Sequence, residues 1–153
     1  MNPEYRFRTT ARWTTGHRGI AEAERVAPAI PFSAPPQFQG ESGYWTPEHF
    51  FLAAISSCFI TTFRVIAELS HFQSLGLELA IEGVVGKSEG GFAFTQVVLQ
   101  PVITIEREED RERAVGLLEK TERSCLVSRS IKTEVLLKPE VRVAAAAGAG
   151  KAA

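Results

Sequence analysis

Apolar and polar residues follow two different periods along this chain. Tyr5 to Trp13 mixes aromatic, Thr and Arg residues in near alternation, which predicts an edge or half-buried strand. TTGHRG (Thr14 to Gly19) places two glycines around a polar tip, a hairpin signal, and Gly19 to Val26 reads as the returning strand. From Pro28 to Pro47 the pattern dissolves into five prolines with Gly40 and Gly43. That composition predicts a long surface loop, and long ordered loops often carry function.

The period then changes to that of a helix. Thr46 is a natural N-cap, Pro47 suits the first helical position, and Glu48 falls in the first turn. Apolar or small residues recur at Phe51, Ile55, Cys58, Thr62, Val65, Ile66 and Leu69, in steps of one, three and four, until Gly76 stops the pattern. Leu52, Phe59, Ile60 and Phe63 occupy other faces, so the helix is apolar nearly all round. Such a helix is buried in the middle of something. A small domain has trouble wrapping it alone, whereas a dimer can enclose it.

Leu77 to Gly86 returns to period two, with Leu77, Leu79 and Ile81 set against Glu78, Ala80 and Glu82. Ser88-Glu89-Gly90-Gly91 reads as a turn, followed by strands over Phe92 to Leu99 and Val102 to Ile105, with Pro101 marking a bulge or bend. Glu106 to Ser124 is predicted helical, with Ala114, Leu117, Leu118 and Thr121 on its inner stripe. Cys125 follows, then a short turn LVSRS and a last strand from Ile131 to Lys138, closed by Pro139. This order predicts an α+β fold with antiparallel hairpins. The predicted domain covers residues 1–140, and the Ala/Gly-rich tail over 141–153 is expected to fray.

Composition narrows the class. Hydrophobic residues make up 44% and charged residues 23% of 153 residues, ordinary for one soluble globular domain. The formal net charge of -1 gives no argument for nucleic acid or an anionic membrane surface as partner. The start has no apolar core of signal-peptide type, and no run reads as the roughly 18 apolar residues that span a bilayer. A cytoplasmic protein is therefore expected. Thiols stay reduced there, so two cysteines are candidates for chemistry or for burial rather than a structural framework.

Each candidate carries two readings. Cys58, on the apolar stripe of the long helix, is either a packed small hydrophobe or a nucleophile. It lies too far along its own helix for the terminal dipole to depress its pKa much, so a reactive Cys58 needs another positive group, and arginine is the obvious supplier. Cys125 follows a helix end, where a thiol is either packed or reachable. A two-cysteine peroxidase uses one thiolate to attack an O–O bond and a second thiol to capture the sulfenic acid as a disulfide. There is no C-x-x-C, and His17, His49 and His71 are scattered without the spacing of a zinc site, so no metal is expected. No phosphate loop, dinucleotide fingerprint or G-x-S-x-G is present either.

Three segments are similar to a known family. TPEHFFLAAISSCFITTF (Thr46 to Phe63) resembles the central helix of the OsmC/Ohr proteins, the osmotically inducible and organic-hydroperoxide-resistance proteins. The shared signature is a Pro-Glu, an apolar and small run, then Cys-Phe, with ten residues from Glu48 to Cys58. SCLVSRSIKTEVLL (Ser124 to Leu137) resembles the second cysteine, Val-Ser turn and last strand of that family, and GGFAFTQVVLQP (Gly90 to Pro101) its strand hairpin. The three fall in the family's order.

The resemblance implies antiparallel strands around a long buried helix, in an intertwined homodimer with active sites at the subunit interface. It implies a peroxidase for organic hydroperoxides, with Cys58 peroxidatic, Cys125 resolving, no bound cofactor, and an external dithiol as reductant. A carboxylate matching Glu48 and an arginine complete the implied site. Arg18, in the TGHRG hairpin, matches the Ohr-branch arginine, while Gln37 stands where the OsmC branch has its own. Glu48 and Cys58 lie about 15 Å apart along one helix at 1.5 Å per residue, so a shared site needs Glu48 from the partner chain, holding the arginine. Otherwise Glu48 compensates the helix dipole. Phe38, Tyr44, Trp45, Phe50 and Phe51 are candidates for an apolar mouth. The competing class is a non-catalytic small-molecule-binding or redox-sensing dimer on the same fold.

Overall fold

A computed structural model of the chain describes residues 2–145. The predicted frayed tail lies, from residue 146 onward, outside the described residues. The chain forms two compact units, Met1–Phe51 and Leu52–Ala153.

The first unit is a three-stranded antiparallel sheet in the order β1-β2-β3, with β1 Thr9–Thr15, β2 Arg18–Ala23 and β3 Val26–Ser33. Gly16 and His17 make the expected hairpin, Gly16 at φ 54° in the left-handed region that glycine tolerates. β3 was expected to be loop, because it contains Pro28 and Pro31. It survives as a strand because β2 is its sole strand partner among the described residues, the other side meeting only a single bridge from Phe32 to Trp45. Pro28 falls within the irregularity opposite Ala21 to Ala23, and Pro31 opposite Ile20 loses no bond on a second side. β1 is exposed along its whole length, and in β2 and β3 only Gly19 and Ser33 are fully buried. From Ser33 the chain runs as an ordered loop with one 3-10 turn, Pro36–Phe38, to the start of the long helix.

That helix, α1, spans Pro47–Leu69. Its start is capped as expected: the His49 N–H donates to Thr46 Oγ1 at 3.3 Å, and the Thr46 N–H donates back to His49 Nδ1 at 3.1 Å. This is the reciprocal arrangement of a capping box, with His in place of Glu. It ends before Gly76, at Ser70 and a left-handed His71 (φ 50°). The buried line is Ile55, Phe59, Phe63, Ile66 and Ala67. The expected stripe was rotated from this: Val65 and Leu69 are 55% and 78% exposed, while Phe59 and Phe63 are fully buried. The exposed row Ser57, Thr61, Arg64 and Glu68 lies roughly opposite Phe59 and Phe63 and sets the inner line, with the expected stripe between the two.

By length and composition α1 would also cross a membrane, contrary to the expectation that no run would. The tally of apolar residues missed it because Ser and Thr scarcely lower the hydropathy of the run. The same test passes core helices of soluble proteins, and five residues of α1 are built into the core of the sheet-and-helix unit.

In the second unit, β4 Gly76–Ser88 and β5 Gly91–Ile105 form a long antiparallel hairpin, and β6 Glu134–Leu137 and β7 Glu140–Val143 lie parallel to β5 along its other edge. The bulge lies at Val84/Val85 rather than at Pro101. Pro101 stays inside β5 because it is in register with Pro139, where the last strand breaks into β6 and β7. The chain thus continues past Pro139 as a short strand. Gly83 in β4 allows a close approach: a Cβ there would lie 2.5 Å from the Phe94 ring and 2.8 Å from Leu52 of α1. α2, Arg111–Ser124, follows a 3-10 turn at Glu108–Asp110 and buries Ala114, Leu117, Leu118 and Thr121, the stripe expected. The predicted LVSRS turn is a single helical turn, α3 Leu126–Arg129. The core gathers Val97, Leu99, Ile103 and Ile105 of β5 with Phe59, Phe63 and Leu118. The fold is α+β, as expected.

Candidate active site

Cys58, half-buried in the middle of α1, and Cys125, fully buried between α2 and α3, are both free thiols in the second unit. The fold brings them into mutual hydrogen-bond reach, the Cys125 thiol acting on the Cys58 sulfur. α2 ends at Ser124, and Cys125 takes up extended backbone (φ −62°, ψ 116°) that turns the chain into α3. The first N–H groups of that turn lack helical partners, as at any helix start, and are available to a sulfur.

Their effects on the two thiols are opposite. Burial pushes the Cys58 thiol up. The Val127 backbone N–H, the Cys125 thiol, the Thr62 hydroxyl and the Leu126 backbone N–H together outweigh it and hold Cys58 below the ordinary cysteine value. Thr62 lies 3.8 Å from the Cys58 sulfur, one helical turn on. Burial also pushes Cys125 up. The hydroxyl and backbone N–H of Ser128 pull it back only in part, and the neighbouring Cys58 sulfur raises it again, so Cys125 stays above the ordinary value. Cys58 is therefore the thiol that loses its proton more readily, and Cys125 the one that holds it more firmly. That division suits a nucleophile and its resolving partner.

Sequence reasoning had assigned the thiolate's support to an arginine. Within the second unit the support comes from two backbone N–H groups, a hydroxyl and the other thiol. Backbone donors leave no trace in residue type, which is why they were missed.

Arg18, expected as a hairpin-tip arginine, is half-buried and held within the first unit. Its Nη1 donates to the Tyr44 hydroxyl at 2.8 Å, and its Nε lies 3.2 Å from Glu41 Oε1. The Tyr44 hydrogen bond, then the Glu41 charge, hold it still more firmly protonated. Glu48 makes no ion pair with Arg18 in this chain. One of its carboxylate oxygens is buried without a hydrogen-bond partner. Glu41 was missed, although a signal existed: it is the sole acidic residue between Pro28 and Pro47. Gln37 is exposed on the 3-10 turn.

Of the aromatic candidates, Trp45 stacks on Phe50 (5.7 Å, 14°), and Phe32, not anticipated, meets Phe50 edge-on at 6.0 Å. Trp45 remains 50% and Phe38 42% exposed. Among the described residues no group of three His, Cys, Asp or Glu is arranged to hold a metal.

Comparison with known proteins agrees with this architecture. The family model described as OsmC-like protein matches residues 40–140, and the chain belongs to that family. It is 25% identical to the uncharacterized protein YmaD of Bacillus subtilis over 92% of this chain and 95% of that one. It is 24% identical to peroxiredoxin OsmC of Escherichia coli over 73% and 77% of the two chains. Among solved structures, an OsmC-like protein of unknown function from Vibrio cholerae superposes with a TM-score of 0.79 at 21% identity, over 89% of this chain and 99% of that one. An organic hydroperoxide resistance protein OsmC from Legionella pneumophila does so at 0.75 and 24% identity, over 93% and 100%.

Proposed function

We propose that the protein is a thiol-dependent peroxidase that reduces organic hydroperoxides, with Cys58 peroxidatic and Cys125 resolving. The observation that carries this reading is the pair of thiols within reach of each other, one held below and one above the ordinary cysteine value. The Cys58 thiolate attacks the distal oxygen of ROOH. The O–O bond breaks, the alkoxide takes a proton and leaves as the alcohol, and Cys58 becomes a sulfenic acid. The Cys125 sulfur then attacks the Cys58 sulfur, water leaves, and a disulfide forms. An external dithiol returns both residues to thiols, so no resident cofactor is required. Relatives named peroxiredoxin OsmC and organic hydroperoxide resistance protein support the assignment.

In this reading the protein works in the cytoplasm as a homodimer. Val65 and Leu69 on α1, and Trp13 on β1, are apolar groups that a second protomer would cover. The buried, unpartnered oxygen of Glu48 awaits a donor that such a protomer would bring. Arg18 binds and orients the peroxide, and the Trp45–Phe50 stack favours an alkyl group over hydrogen peroxide.

The test is one equivalent of cumene hydroperoxide added to the fully reduced protein, followed by intact mass and free-thiol count in wild type and Cys58→Ser. Loss of both thiols without an added oxygen, absent in the variant, is expected. Survival of both thiols in wild type would turn the assignment toward a ligand-binding member of the family.

A further inference from the structure

The hydroxyls around the thiol pair are used in different ways. Thr121 on α2 is fully buried and donates to the Leu117 carbonyl at 2.7 Å, and Ser130, just after α3, donates to the Leu126 carbonyl at 2.7 Å. Both bonds run four residues back, the usual outlet for a hydroxyl on a helix. Ser128, the third residue of α3, is 9% exposed, and its hydroxyl oxygen is buried with no hydrogen-bond partner of ordinary geometry among the described residues. Its bond four residues back would end on Ser124, which lies before the break that the extended backbone of Cys125 makes between α2 and α3. The local fold thus closes the ordinary outlet. A buried hydroxyl left in this way costs stability, and in a native protein it calls for a reason.

What the hydroxyl meets is the Cys125 sulfur. Ser128 lies three residues on from Cys125, the spacing at which side chains of a helical turn are neighbours. Its hydroxyl pulls the Cys125 thiol toward ionisation, yet forms no hydrogen bond of ordinary geometry to it. In the reduced protein the Cys125 S–H is turned toward Cys58 on α1, the titratable group that acts on it, and a protonated sulfur is a weak acceptor. Once Cys125 loses that proton its sulfur carries a full charge, and the waiting O–H gains a strong acceptor. The interaction is then stronger in the attacking thiolate than in the resting thiol, which is the kind that speeds a step.

We propose that the Ser128 hydroxyl is the hydrogen-bond donor to the Cys125 thiolate as it attacks, and so a catalytic residue of the resolving step rather than of the peroxide step. In that step the Cys125 sulfur displaces hydroxide from the Cys58 sulfenic acid. The S–S bond forms as the S–O bond breaks, and the hydroxide with the proton shed by Cys125 makes the water released. The proposal deepens the peroxidase reading and rests on it for the sulfenic acid, while the attack of Cys125 on an oxidised Cys58 can also be followed without peroxide.

Two measurements test it together. In the first, reduced wild type and Ser128→Ala receive one equivalent of cumene hydroperoxide, and samples quenched over time are read by mass for dimedone-trapped sulfenic acid and for disulfide. Losing a hydrogen bond to a charged sulfur slows a step by on the order of tenfold or more. The loss in Ser128→Ala should fall on disulfide formation, so that sulfenic acid accumulates, and should shrink at alkaline pH, where Cys125 ionises unaided. The variant should fold at least as stably, because it loses no partner in the reduced protein. Ser128→Thr, which keeps the hydroxyl, should recover part of the rate. Disulfide formation at the wild-type rate in Ser128→Ala would overturn the proposal, and so would a loss equal at every pH, which marks a structural role. In the second, one equivalent of dipyridyl disulfide replaces the peroxide. Cys58 releases one pyridinethione, and Cys125 then attacks the Cys58 mixed disulfide and releases another, read by absorbance. Ser128→Ala should slow the later release by about tenfold. An equal later release in both proteins, or none in wild type, would overturn the proposal. Failure of the peroxidase reading shows differently, as wild-type thiols untouched by cumene hydroperoxide, and leaves the pyridinethione release to decide the role of Ser128.

Discussion

The thiol pair of the second unit and the arginine of the first unit are tuned by opposite means. Cys58 lies on a rigid helix, and its proton affinity is set by burial against backbone N–H groups of α3, a hydroxyl and Cys125. Arg18 lies near a hairpin tip, and its place is set by two side chains, Glu41 and Tyr44, in an ordered but half-exposed loop. The difference teaches where each function is vulnerable. Thiolate support built from backbone survives most substitutions nearby and depends on the α2–α3 turn. Arginine placement depends on individual side chains and on the solvent around them.

That contrast can be broken most severely at Cys125. In Cys125→Ser, Cys58 loses its resolving partner, so the protein should stop after one oxidation and gain the mass of one oxygen, with turnover on a dithiol reductant essentially abolished. In Cys125→Ala, which leaves no donor at that position, the Cys58 titration should also move up. Wild-type turnover in either variant would show that an outside thiol resolves Cys58.

A smaller effect is expected from Val127→Pro. This removes one backbone N–H that serves Cys58 and that the start of a helix does not need for itself. The sign follows from the cause. Less support for the thiolate raises the Cys58 pKa, so at neutral pH less thiolate is present and peroxide is consumed more slowly, while at alkaline pH the wild-type rate returns. An unchanged pH profile of the oxidation rate would assign the support elsewhere.

Smallest is the response to salt. The Arg18–Glu41 pair has side chains 34% and 52% exposed, and exposed pairs are screened. Raising ionic strength from about 0.02 M to about 0.5 M should slow peroxide oxidation by a few-fold. The pH midpoint of Cys58 alkylation should hardly move, because hydrogen bonds rather than distant charge set it. A midpoint that moves with salt as much as the rate does would erase the distinction between the two regions.

The same contrast explains what the sequence revealed. The inner stripe of α2 was legible at Ala114, Leu117, Leu118 and Thr121 because its other faces are charged. The N-terminus of α1 was legible at Thr46 and Pro47, but its inner line was not, because the apolar count gave no weight to the polar row Ser57, Thr61, Arg64 and Glu68 that faces away from Phe59 and Phe63. β3 was hidden by Pro28 and Pro31, whose cost vanishes on an edge strand. In the site, both cysteines were found by type and by resemblance. The Val127 and Leu126 N–H groups were not, because any residue except proline supplies one. Glu41 carried a charge signal in a loop otherwise without acids, and it was passed over for Glu48, whose place in the family signature drew the assignment.

The central claim is that Cys58 is the thiol poised for attack. It is tested most directly by the rate of iodoacetamide alkylation of each cysteine against pH in the reduced wild-type protein, read by peptide mass. Cys58 should react first, with a midpoint below the ordinary cysteine value, and Cys125 only at higher pH. A Cys58 midpoint at or above that of Cys125 would contradict it.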